Sequence, residues 1–165
     1  MKRSIAAALL CGLLLTGCPP PVAKNGRAPV DRNAIAERIR RDEAGGVADW
    51  ASRDVDRIAT RYAANGSLIV PCQPRLAGAA RIRAHVAALL RDPNFELRFD
   101  PDRVDVAESG DLAYSVGTYT ARATNPATGR PHSEVGNYLT TYRRHRDGSW
   151  KAIDGAAVHG GPPQA

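Results

Sequence analysis

Apolar residues recur at helical spacing in the first half of the chain and at alternate positions through most of the second. Asp31 or Asn33 caps a predicted helix running to about Trp50, with Ile35, Ile39, Val47 and Trp50 turned inward and Gly45-Gly46 weakening its last turn. Asp54 caps a second helix through Val55, Ile58, Ala59, Tyr62 and Ala63, and Asn65-Gly66 supplies a left-handed stop. Leu68-Ile69-Val70 makes a short strand ending at Pro71. Gly78 opens a third helix with Ile82, Val86, Leu89 and Leu90 on one face, closed by Asp92-Pro93. Everything later reads as strand. Phe95, Leu97 and Phe99 alternate, followed by Val104 and Val106; Ser109-Gly110-Asp111 turns into a long strand from Leu112 to Thr124. The runs Ser133 to Arg146 and Ser149 to Val158 complete a meander through Asp147-Gly148. Helices first and strands afterwards predict an α+β fold, three helices packed on the concave face of one curved antiparallel sheet.

The front of the chain has a different pattern. Lys2-Arg3 precede an apolar run from Ile5 to Leu15, too short to span a bilayer, and Leu15-Thr16-Gly17-Cys18 fits the Leu, small, small, Cys pattern of a lipoprotein signal. Residues 1–17 are therefore expected to be removed and Cys18 to be lipidated. Several acyl chains there would anchor the protein to a membrane, since each buried methylene contributes about 0.8 kcal/mol. Residues 18–31, with Pro19-Pro20-Pro21, form neither helix nor ladder and predict a tether, followed by one domain over 32–159 and a Gly/Pro tail over 160–165. Pro19 is not the Asp of an inner-membrane retention signal, so the expectation is an envelope protein on the outer membrane, facing the periplasm.

Composition narrows the chemistry. The formal charge of +6 falls to +4 once Lys2 and Arg3 are removed, and the basic clusters Arg38-Ile39-Arg40-Arg41 and Arg143-Arg144-His145-Arg146 are followed by Asp42-Glu43 and Asp147. These read as solvated faces, and no nucleic-acid partner is predicted. With Cys11 in the removed segment and Cys18 lipidated, Cys72 is left without a disulfide partner. The four histidines show no ligand spacing, so neither metal nor cofactor is expected.

The order of elements, together with Glu108-Ser109-Gly110-Asp111-Leu112-Ala113-Tyr114, Gly117-Thr118-Tyr119, Gly136-Asn137-Tyr138 and Asp147-Gly148-Ser149-Trp150-Lys151, resembles the SnoaL-like and ketosteroid-isomerase-like branch of the nuclear-transport-factor-2-like (NTF2-like) superfamily, over about residues 33 to 158. The resemblance implies a cone-shaped domain with a deep cavity between helices and sheet, and a homodimer through the sheet. Ketosteroid isomerase also implies a carboxylate base and an oxyanion pair of a Tyr and a protonated Asp. Matching Tyr62-Ala63-Ala64-Asn65 to its similar segment places Val70 at the base position, Gly46 near the oxyanion Tyr and Tyr138 near the oxyanion Asp. Val cannot accept a proton, so that chemistry is not expected here.

The remaining candidates are read from phase and position. Asp154 shares strand phase with Trp150 and Ala152 and is either a cavity acid or base or a structural acceptor near the sheet's end. Glu134 has the parity of Tyr138 but starts its strand, where a carboxylate is usually solvated. Cys72 sits at the expected cavity mouth, a small passive side chain or, with His85, a nucleophile. Trp50, Tyr62, Tyr114 and Tyr138 are wall or packing. The predicted ligand pocket is thus Trp50, Tyr62, Val70, Cys72, Tyr114, Tyr138 and Asp154. Its expected use is binding of a small apolar molecule. The alternatives are an isomerase, dehydratase or hydrolase using Asp154 with a Tyr, and a dimeric envelope interaction module.

Overall fold

A computed structural model describes residues 29–160. The expected signal peptide, the lipidated Cys18, most of the tether and nearly all of the tail lie outside the described residues.

Helix α1 spans Arg32–Ala51, and the Asp31 carboxylate caps it by accepting from the Ala34 amide. It runs through Gly45-Gly46 without breaking, because packing against the sheet outweighs the weak propensity of two glycines. Its buried residues, Ala36, Ile39, Glu43, Gly46 and Asp49, form one stripe of helical period that includes two carboxylates. Arg53, with a left-handed φ of 58°, turns the chain out of α1. The Arg53 guanidinium donates to the Leu90, Asp92 and Phe95 carbonyls, tying this turn to the segment after the third helix.

Asp54 caps α2, Val55–Thr60, accepting from the Asp56 and Arg57 amides. This helix is shorter than its apolar stripe predicted. From Tyr62 the chain is strand β1, Tyr62–Ile69, followed by β2, Leu76–Ala77, and then by α3, Ala79–Leu89. The reason lies far along the chain: β1 pairs in parallel with the final strand, Tyr62 opposite Ala152 and Leu68 opposite Gly155, and the Ala152 amide donates to the Arg61 carbonyl. Tyr62 and Leu68 still face the apolar cluster of Ile58, Ile82 and Val86, so the expected inward set is kept while its backbone changes.

The remaining strands are β3, Glu96–Val106; β4, Leu112–Thr124; β5, Pro131–Arg144; and β6, Trp150–His159. They meander antiparallel, and the six-stranded sheet runs β2-β1-β6-β5-β4-β3. The sheet is therefore mixed and not wholly antiparallel, the β1–β6 pair being the parallel one. Helix α1 packs on β3, with Ile39 against Val104 and Ala113, while α3 packs on β1; the helices leave a space between these two apolar clusters. The other face of the sheet exposes Val135, Leu139 and Val158 by 61%, 41% and 56%.

Gly117 explains part of the Gly-Thr-Tyr motif. A Cβ built there would stand 2.0 Å from the Asp100 carbonyl oxygen and 2.9 Å from the Pro101 Cα, where β3 bulges between Pro101 and Arg103. Gly117→Ala is expected to destabilise the domain by about 2 kcal/mol, since backbone must shift to admit the methyl. The urea midpoint of residues 29–160 measures this; an unchanged midpoint would show that the close approach is not fixed.

Candidate functional site

The cavity between α1, α3 and the inner face of the sheet has a volume of about 660 Å3. Of the sequence-predicted pocket residues, Trp50, Tyr62, Val70, Cys72 and Tyr138 line it. Tyr114 and Asp154 do not.

Asp154 misses the cavity because of one residue. Tyr142 pairs with Ala152 and Thr141 with Asp154, so Ile153 is an extra residue in β6, and the alternation that begins with Trp150 and Ala152 reverses beyond it. Gly155 and Ala157 face the cavity instead, while Asp154 is exposed on the outer face, accepting from the Ser67 hydroxyl at 2.6 Å. It is a structural acceptor, and the cavity acid–base role expected for it is withdrawn. Tyr114 lies on the outer face too, where its hydroxyl donates to Asp105 at 2.6 Å and Arg103 lies over its ring at 5.5 Å. Cys72 is exposed with a φ of 60°, and His85 lies on the wall with no hydrogen bond joining the two among the described residues. No group of three or more His, Cys, Asp or Glu among the described residues is placed to hold a metal ion.

The polar centre of the cavity is Glu43, whose place beside a basic run pointed to a solvated face. It is only 4% exposed. Its Oε1 accepts from the Ser115 and Tyr142 hydroxyls, each at 2.5 Å, and its Oε2 accepts from the Tyr138 hydroxyl at 3.1 Å. Sheet register makes these donors converge. Tyr138 and Tyr142 are four apart on β5 and share its inward face, and Ser115 on β4 pairs with Thr140 midway between them. Helix phase supplies the acceptor, because Glu43 is i+4 from the fully buried Ile39. That spacing is the signal by which the sequence could have revealed it. Tyr138 also meets Phe99 edge to face at 5.8 Å between ring centroids.

Asp49, nearly two turns further along α1, has a different environment. Its carboxylate receives Arg61 Nε at 2.6 Å and Nη2 at 2.5 Å, with Arg57 Nε at 3.3 Å, and Arg61 Nη1 donates to the Asp42 carbonyl at 2.6 Å. Arg61 thereby joins the end of α2 to α1 across the cavity's rim. Gly46 lies between the two carboxylates, and a Cβ there would press the Phe99 ring at 3.0 Å. No tyrosine fits at that position. On the far wall Glu134 accepts from Tyr119 at 3.3 Å and sits 3.3 Å from His159.

The hydroxyls around Glu43 are donors because they stay protonated. Burial, followed by the Glu43 charge and hydrogen bond, pushes Tyr138 and Tyr142 far above the ordinary phenol range. Three donors occupy three of the carboxylate's roughly four acceptor positions. What the arrangement provides is a fixed acceptor at the end of an apolar chamber.

A six-stranded curved sheet closing with its helices on such a chamber is the NTF2-like fold. Solved structures share it. A ketosteroid isomerase-like protein from Erwinia carotovora atroseptica superposes with a TM-score of 0.65 at 20% identity, covering 76% of this chain and 96% of the other. An NTF2-like protein with a cystatin-like fold from Novosphingobium aromaticivorans gives 0.61 at 23%, covering 74% and 80%. An NTF2-like superfamily protein from Salmonella enterica serovar Typhimurium gives 0.66 at 11%, covering 80% and 95%. No curated protein sequence matches the chain. The SnoaL-like domain model matches residues 46–153, and the chain belongs to that family. The matched stretch begins three residues after Glu43.

All five tyrosines are held above the ordinary phenol range. Burial pushes Tyr62 up to about 12; burial, then Glu134, pushes Tyr119 up to about 12; the hydrogen bond to Asp105 raises Tyr114. The folded state favours the neutral phenols, so their contribution is full below the ordinary pKa of about 10 and is lost as pH rises through the raised values. At pH ~10.5, where a free tyrosine is mostly ionised, the folded domain should show little phenolate absorbance. Ionisation of most tyrosines while the circular dichroism stays native would contradict this.

Proposed function

We propose that this domain binds a small, largely apolar molecule in its cavity and does not carry out proton transfer of the ketosteroid-isomerase kind. The observation that carries the reading is the chamber itself: about 660 Å3, within the range of small-molecule sites, with apolar walls and a few convergent polar groups at Glu43. Against proton transfer stand Val70 on the wall where a base would be needed, and Asp154 on the outer face. The enzyme reading built on Asp154 therefore loses its acid or base.

Naphthalene-2-methanol is a suitable neutral probe. Isothermal titration calorimetry should give saturable binding at one site per domain. Ala157→Phe places a ring in the cavity opposite Tyr138 and should weaken binding by about tenfold or more. No heat of binding to the folded wild-type domain would overturn the proposal.

We further propose that lipidated Cys18 displays the domain from an envelope membrane, the outer one facing the periplasm, and that two copies pair through the outer face of the sheet. The Leu15-Thr16-Gly17-Cys18 sequence supports the first, and the exposed Val135, Leu139 and Val158 support the second. Wild-type protein made in a bacterial host should incorporate labelled palmitate, fractionate with outer membranes and lose both properties in Cys18→Ser. Protein made without residues 1–18 should run at dimer mass in light scattering and become monomeric in Leu139→Glu/Val158→Glu. Absence of label sinks the anchor, and a monomer without residues 1–18 sinks the pairing.

A further inference from the structure

The cavity lining carries equal numbers of Arg or Lys side chains and carboxylates, but no ion pair among the described residues includes Glu43. Four carboxylates lie along its lining. Asp42 has Arg38 at 3.2 Å, Asp49 has Arg61 and Arg57, and Glu134, which is partly open to solvent, has His159 at 3.3 Å, a pair that is ionic only when the imidazole is protonated. Glu43 is among the most enclosed of the four, yet no cationic side chain among the described residues comes within ion-pair distance of it. Its partners are three hydroxyls. Each of the three hydroxyls is placed to donate to it, an arrangement that solvates a carboxylate. Neutral donors solvate such a charge but leave its field in place, and the field is strong where water is excluded.

The geometry also leaves room for one more donor. A carboxylate has about four acceptor positions. Both on Oε1 are taken by Ser115 and Tyr142, whereas Oε2 holds Tyr138 alone, by the longest of the three bonds. The ring of Tyr138, whose hydroxyl meets Oε2, packs edge to face with Phe99, and the Phe99 ring in turn fills the space that a Cβ at Gly46 would take. A carboxylate without a cationic partner and with an open acceptor position in an apolar chamber is the setting that favours an organic ammonium.

We infer that the cavity is selective for an amphiphilic cation, an amine protonated at neutral pH on an apolar body, whose ammonium donates to Glu43 Oε2 beside the Tyr138 hydroxyl. This rests on the proposed binding function and adds the charge of the ligand to it. The basic residues of the lining do not oppose such a guest. Arg61 and Arg57 are turned to Asp49, Arg38 to Asp42, and Lys151 Nζ donates to the Thr60 carbonyl.

Three naphthalene probes of matched shape separate the outcomes: 2-naphthylmethylamine, naphthalene-2-methanol and 2-naphthoate, titrated into the wild-type domain at pH 7. The expected order is amine, alcohol, carboxylate, with the amine tighter than the alcohol by about tenfold or more. Glu43→Gln should bring amine and alcohol within about threefold of each other. An amine no tighter than the alcohol overturns the inference while leaving the binding proposal intact. Failure of all three probes removes the binding proposal and the inference with it. An undiminished amine preference in Glu43→Gln also overturns it. If that variant does not fold, Glu134→Gln decides: an amine preference kept in it leaves Glu43 as the cation site, and a preference lost in it overturns the inference.

Discussion

Helix α1 can lie on this sheet only if two carboxylates on its buried stripe are satisfied, and much of the cavity's architecture answers that demand. Leaving either one unpartnered in the interior would cost several kcal/mol, an amount comparable to a domain's whole stability. Glu43 is met by Ser115, Tyr138 and Tyr142, and Asp49 by Arg61 and Arg57. The first set fixes the helix to β4 and β5, the second to the end of α2. Both sets use side chains from elements distant in sequence. The seating of α1, the register of the meander and the placement of α2 are thereby fixed together.

Irregularities in the strands then decide which side chains reach the cavity. Bulges interrupt β1 between Tyr62 and Ser67, β3 at Asp102 and β6 at Ile153. Each bends the sheet and shifts the phase of the residues beyond it. In β6 the shift removes a carboxylate from the cavity and puts Gly155 and Ala157 there, two residues small enough to leave the chamber open. In β3 it keeps both Phe99 and Val104 inward although they are five residues apart, an odd spacing that an unbroken strand would divide between its faces.

Those irregularities also mark where the sequence stopped being readable. The hairpins were legible because their signals are local. Gly110 and Gly148 adopt the left-handed φ that their turns require, and the strand from Leu112 to Thr124 has its expected bounds. Asp31 and Asp54 cap the helices they were expected to cap. Local pattern misassigned Tyr62–Gly66, because a stripe compatible with helix was overridden by a parallel partner some ninety residues away. Period-two counting put Asp154 inside because a single extra residue is invisible in a pattern. The antiparallel sheet became mixed for the same long-range reason. Glu43 was hidden differently: a charge beside Arg40, Arg41 and Asp42 reads as surface, although its phase relative to Ile39 places it in the core.

The two carboxylates of α1 show why the family match leaves the chemistry open. They stand six residues apart on one face, about 9 Å along the axis, and each is nearly inaccessible to solvent. Asp49 is neutralised by guanidinium groups that also bind backbone and bridge helices, so its charge is spent on holding the fold together. Glu43 is solvated by hydroxyls that carry no charge, so its field remains directed into the chamber. A purely structural acceptor of this reach could have been a glutamine, with less desolvation. A carboxylate kept without a countercharge, in a chamber with open volume, is better explained by the molecule that enters the chamber than by the residues that enclose it. Glu43 lies three residues ahead of the stretch matched to the SnoaL-like family, on the same buried stripe of α1 as Gly46, where that stretch begins.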